Sequence, residues 1–225
     1  MNNKLSDLFR ECAYGGNWQV AGIDTDYKFI ENGSTLYCYF KGSDSPIDWF
    51  RNFDFKQKVY GLFKVHRGFY QAYKEVRNII LDKVYENDYK SIVVVGYSHG
   101  SALAQLCHQD LRYHFPSIDT QTFAFESPRC LKVPKKLRPY WDNLTTIRNG
   151  SDLVTHLPPR IFDFDDLGKM VKIKGDTSLV KNHLLKCIKY HFPQCVLDGL
   201  IKREKEQEIE QSKCSTMESN ESNKS

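Results

Sequence analysis

The sequence predicts an α/β domain with a mostly parallel central sheet flanked by helices. Three observations carry that prediction. The stretch SIVVVGYSHGSALAQ, residues 91–105, passes from an apolar β-branched run through a tight glycine turn into an apolar helical pattern. From Ser91 to Ile147 the order is strand, helix, strand, strand, with a helical pattern before it, as expected of parallel strands joined by crossovers. The chain of 225 residues, 40% hydrophobic and 13% aromatic, is long enough to bury one sizeable core.

The N-terminal MNNKLSDLFRECAYGG lacks a basic start followed by an apolar core, and no apolar run is long enough to span a bilayer. Seven cysteines, an odd number with no C-x-x-C pair, several within apolar patterns, read as buried free thiols. An intracellular, cytoplasmic and reducing setting is the expectation. Net charge is +4, too mild to argue for nucleic acid.

LYCYF, residues 36–40, reads as a strand that ends in the turn cluster KGSDSP. Ile47, Trp49 and Phe50 follow on a short, helical apolar segment, suited either to packing or to covering a site. Val65-His66-Arg67-Gly68 leads into a helix, because Phe69, Ala72, Tyr73, Val76, Ile79, Ile80 and Val84 repeat at helical spacing. The elbow strand and its helix come next, ending near Phe115-Pro116, and then strands at Thr122–Phe125 and Leu144–Arg148. A late helix is expected over Asn182–His191, limited by Pro193. From about Lys202 apolar residues almost vanish, so residues 1–201 are expected to form the domain and 202–225 a charged, disordered tail, at most helical at its start.

Gly96-Tyr97-Ser98-His99-Gly100 is a G-x-S-x-G pentapeptide in a strand–turn–helix context, the setting of a nucleophile elbow. The turn is sharp enough that Cβ atoms at Gly96 and Gly100 would meet the adjoining strand and helix. Ser98 is then a nucleophile in need of a base, normally an imidazole oriented by a carboxylate. Asp152 and His183 fit the order Ser, acid, His, while His156 and His191 compete as bases. On spacing alone, Asp152 fits an Asx-turn equally well. The backbone N–H of His99 and the Gly42-Ser43 turn are candidate oxyanion donors. His183, Cys187 and His191 share one helix face, but ligands along one straight helix cannot surround one ion, so no metal and no cofactor are expected.

Six blocks, in order, carry a resemblance: FKGSDSPIDW, VHRGFYQAY, VVVGYSHGSALA, TFAFESPR, IRNGSDLVTHLPP and NHLLKCIKY. The sequence resembles the class 3, fungal lipase-like family, with its α/β-hydrolase fold, from about Thr35 to Tyr190. The resemblance implies Ser98 as nucleophile, Asp152 as orienting acid, His183 as base, and Ser43 and His99 as oxyanion donors. It implies a lid over roughly residues 45–53, with Ile47, Trp49 and Phe50 as its apolar face. His99 stands where the family usually has Leu. The implied activity is hydrolysis of a lipid acyl ester at a membrane or lipid-droplet surface. A protein that binds lipid or a partner on the same fold without turnover is the alternative.

Overall fold

The computed structural model describes residues 4–43 and 56–222, with side chains to residue 212. The segment expected to carry Ile47, Trp49 and Phe50 lies outside the described residues.

Seven strands form the main sheet, in the order β1 (Gln19–Ala21), β2 (Thr25–Asn32), β3 (Thr35–Phe40), β6 (Ser91–Tyr97), β7 (Asp119–Phe125), β9 (Leu144–Asn149) and β10 (Lys169–Ile173). β3, β6, β7, β9 and β10 are mutually parallel, while β2 pairs antiparallel with β3 and β1 antiparallel with β2. A small antiparallel sheet joins β4 (Gln57–Tyr60), β5 (Phe63–His66) and β8 (Leu131–Lys132). The helices are α1 (Leu5–Tyr14), α2 (Arg67–Tyr85), α3 (His99–His114), α4 (His183–Lys189) and α5 (Pro193–Ser222).

The apolar run in β6 is explained by burial on both faces. Ile92 and Val94 point into a core with α2 and α3, where Phe69, Tyr73, Leu103 and Leu106 pack. Val93 and Val95 point into a second core with Phe9 of α1 and Val196, Leu197 and Leu200 of α5. Each such side chain contributes about 1.5–3 kcal/mol by leaving water. A half-buried strand would have alternated polar and apolar residues; this one does not.

The boundary expected at Lys202 falls inside α5, which continues to Ser222. Its C-terminal half has no apolar stripe, but Lys, Arg, Glu and Gln are good helix formers. Glu204 accepts hydrogen bonds from the backbone N–H of Ser6 (2.9 Å) and from its hydroxyl (2.6 Å). Glu208 pairs with Lys4 at 2.8 Å. Pro193, expected to limit one helix, instead starts the next, in the first-turn position where its missing N–H costs nothing.

Candidate active site

β6 ends at Tyr97 and α3 begins at His99, so Ser98 alone makes the turn, with φ 54° and ψ −122°. Its N–H donates to the Phe125 carbonyl at 2.9 Å, tying the elbow to β7. A Cβ on Gly96 would stand 2.2 Å from the Gly100 carbonyl oxygen, and one on Gly100 2.3 Å from the carbonyls of Phe40 and Lys41. The glycines therefore let β6, α3 and the end of β3 converge on one point.

Asp152 lies just past β9, beyond the carboxyl end of a parallel strand, where open α/β sheets place their ligands. Both readings of this residue hold at once. Its Oδ1 accepts the N–H of Val154 at 2.9 Å, an Asx-turn, while Oδ2 lies 2.7 Å from Nδ1 of His191. The other ring nitrogen of His191, Nε2, lies 2.7 Å from Ser98 Oγ. With Nδ1–H donating to the carboxylate, Nε2 carries the lone pair and accepts from the serine hydroxyl. All three side chains are buried.

The imidazole against Ser98 is thus His191, and the expectation for His183 is corrected. His183 is exposed at the start of α4, with Nδ1 3.8 Å from Cys187 Sγ. The cause is where the helix stops. α4 ends at Lys189, so Tyr190 and His191 leave the helix in a turn before Pro193, and that turn swings the ring inward. His156, the other competing base, places Nδ1 2.8 Å from the Asp152 backbone carbonyl.

His191 is held from several sides. Tyr97 stacks on its ring, centroids 5.4 Å apart and planes 23° apart, and the Tyr97 hydroxyl donates to the His191 carbonyl. Asn149, fully buried, donates to the Tyr190 carbonyl at 2.8 Å and accepts the Gly175 N–H at 2.7 Å. Asn149→Ala leaves both backbone groups unpaired at about 1–3 kcal/mol each, so a loss of about 2–6 kcal/mol is expected. Denaturant midpoints at constant slope measure it. Local sequence does not show this anchoring role, because it depends on a residue 41 positions away.

Ser43 is half-buried at the end of the segment that follows β3. β3 pairs with β6 up to Phe40 opposite Gly96, so this segment runs beside the elbow. His99 opens α3 at the positive end of the helix dipole, and its ring packs on Phe69 at 5.5 Å. Burial pushes the His99 imidazole down to about 4, so the ring is neutral near pH 7. Beside Ser43 lies a cavity of about 260 Å³ lined by Cys12, Tyr97 and Phe192. A larger cavity, about 740 Å³, lies at the far end of α3 between Leu62, Arg77 and Tyr140 and touches none of Ser98, Asp152 and His191.

Glu126 closes the site from β7. One ligating atom each of Glu126, Asp152 and His191 lies within 4.8 Å of the others, and among the described residues no other such group of three could hold a metal ion. Here a shared cation would have to break the 2.7 Å bond between Asp152 and His191.

The model of the family "Lipase (class 3)" matches residues 37–162. A lipase of Rhizomucor miehei is 28% identical over 166 residues, 68% of this chain but 46% of that relative. A secreted mono- and diacylglycerol lipase of Malassezia globosa is 30% identical over 111 residues, 45% of this chain and 36% of the relative. The chain therefore spans about half, or less, of the length of these curated relatives. The solved triacylglyceride lipase of Rhizomucor miehei superposes with a TM-score of 0.66 over 82% of this chain and 81% of that one, at 24% identity. Another solved structure is described as a triacylglycerol lipase whose catalytic centre is a serine protease triad. It superposes at TM-score 0.63 and 25% identity, over 81% and 77% of the two chains. The fold is that of the α/β-hydrolases.

Proposed function

Since the chain belongs to the class 3 lipases, we propose that it hydrolyses the acyl ester of a lipid through a covalent intermediate on Ser98. The 2.7 Å contacts from Ser98 Oγ to His191 Nε2, and from His191 Nδ1 to Asp152, carry the proposal. A fold kept only for binding would not need this relay.

Ser98 Oγ attacks the ester carbonyl carbon while His191 takes its proton, and Asp152 stabilises the resulting imidazolium. The carbonyl oxygen becomes an oxyanion, for which the N–H of His99 and the Ser43 turn are the proposed donors. Collapse expels the alcohol, which leaves with the proton from His191. Water then attacks the acyl-enzyme, His191 accepts its proton, and Ser98 is regenerated as the carboxylic acid leaves. The named relatives, a lipase and a mono- and diacylglycerol lipase, support lipid esters as the substrate class. A solved fungal lipase–inhibitor complex, 28% identical, is described as a model for interfacial activation, and action at a membrane or lipid-droplet surface is part of this proposal. No described helix is long and apolar enough to cross a membrane. The six cysteines with described side chains are free and buried, which supports a reducing setting.

Treatment with a fluorophosphonate, followed by peptide mapping, is expected to give one adduct, on Ser98. Hydrolysis across a panel of lipid esters is expected to fall by about 10⁵–10⁶ in Ser98→Ala. An adduct elsewhere, or turnover that survives the substitution, overturns the proposal.

A further inference from the structure

Glu126 is fully buried at the end of β7. Its φ of 50° lies in the left-handed region, which favours glycine, and its N–H is pinned to the Ile147 carbonyl at 2.9 Å. Neither carboxyl oxygen makes a fully formed hydrogen bond among the described residues, but the Asp152 carboxylate and the Asn149 backbone lie against them, and Asp152 and His191 stand within 4.8 Å. A strained backbone and a buried acid without a fully formed bond would both be relieved by glycine, so the side chain needs its own explanation.

We propose that Glu126 is a positioning residue: as the neutral acid it donates its O–H to the Asp152 carboxylate, which keeps a single negative charge behind His191. This rests on the triad assignment made above. Two buried carboxyls at this separation do not both ionise. Asp152 already receives the Val154 N–H and the His191 Nδ1–H in well-formed bonds, whereas the Asn149 backbone and Arg148 offset only part of the burial of Glu126, so the charge sits on Asp152 and the proton on Glu126. The groups facing Glu126 are Asp152 and His191, the Tyr97 phenol from β6, and the Asn149 backbone and Arg148 from β9. Arg148 directs Nη2 to the Thr155 carbonyl at 3.3 Å and to Asp166 at 3.1 Å. Burial, and then the Asp152 charge, push the Glu126 carboxyl well above its usual 4.5, with Arg148 offsetting only part. A donor on Asp152 weakens the hold of that carboxylate on the imidazolium, and the acid limb of the rate profile reads that hold.

The decisive measurement needs no activity. An unfolded Glu126 ionises near 4.5 while the folded one keeps its proton, so the native state binds more protons and wild-type stability falls as pH rises above that value. Gln cannot ionise, so the melting temperature of Glu126→Gln minus that of wild type is expected to widen by several degrees between pH 5 and 8. A difference that stays flat or shrinks, as an ionised Glu126 paired with Arg148 would give, overturns the proposal. The second readout is the pH profile of kcat/KM. Glu126→Gln keeps a donor, so its acid limb stays within about 0.3 pH unit of wild type; Glu126→Met has none, so its limb moves up by about 0.5–1 unit. A merely structural role would lower both rates without moving either limb, and that result also overturns the proposal. If Glu126→Met does not fold, or no ester proves to be a substrate, the stability series decides alone.

Discussion

His191→Ala is expected to lower kcat by about 10⁴–10⁶, while His183→Ala stays within about twofold of wild type. The contrast follows from geometry. Without the His191 imidazole, nothing takes the Ser98 proton, and Asp152 is left buried facing an empty space. His183 is exposed at the start of a seven-residue helix, with Nδ1 3.8 Å from Cys187 Sγ. Steady-state hydrolysis of a soluble ester separates the two variants without lipid-surface effects. Circular dichroism checks that both fold. Should His183→Ala prove to be the inactive one, the turn at residues 190–192 is wrong and with it the site.

Gly96→Ala and Gly100→Ala are each expected to cost more than about 4 kcal/mol, close to the whole stability of a marginal domain. The atoms a methyl would meet are backbone: Gly100 O at 2.2 Å and Ser101 Cα at 2.6 Å in one case, the Phe40 and Lys41 carbonyl oxygens at 2.3 Å in the other. Backbone of paired strands and a packed helix cannot move aside as a side chain can. Gly16→Ala is the control, because a Cβ there has nothing within 4 Å, and its effect should lie within about 0.5 kcal/mol. Denaturant melts, or soluble yield where no melt is obtained, report the difference. A well-folded Gly100→Ala would mean that the helix can pull back from β3, and that the convergence at Ser98 is looser than the clearances imply.

The elbow was legible because its signals are local. The apolar run, both glycines and Ser98 lie within ten residues, and each constrains its neighbours. Asp152 was legible for a similar reason, as an acid just past a strand. His191 was not, because its identity depends on a helix ending two residues sooner than its apolar spacing suggests, and no residue between Lys189 and Pro193 announces that stop. The stretch Lys189–Pro193, with an imidazole two positions before a proline that opens a helix, is the signal that would have favoured it. Glu126 stood in a quoted block, TFAFESPR, yet an acid at a strand end reads as a solvent-facing turn until burial is known. The first strands and α1 escaped because β1 and β2 are an antiparallel edge without the continuous apolar pattern of β6. The extent of the helix past Lys202, beyond the helical start that the sequence allows, escaped because composition weighs hydrophobicity, whereas Glu204 and Glu208 hold it by charge and hydrogen bonds.

Because β6 is embedded in two separate cores, Ser98 is mounted on a segment that cannot loosen toward either side alone. Amide hydrogens of residues 92–95 should then exchange only through opening of the whole domain. The attacking oxygen is therefore placed before any ester arrives, and its aim is a property of the fold's interior rather than of the molecule it meets.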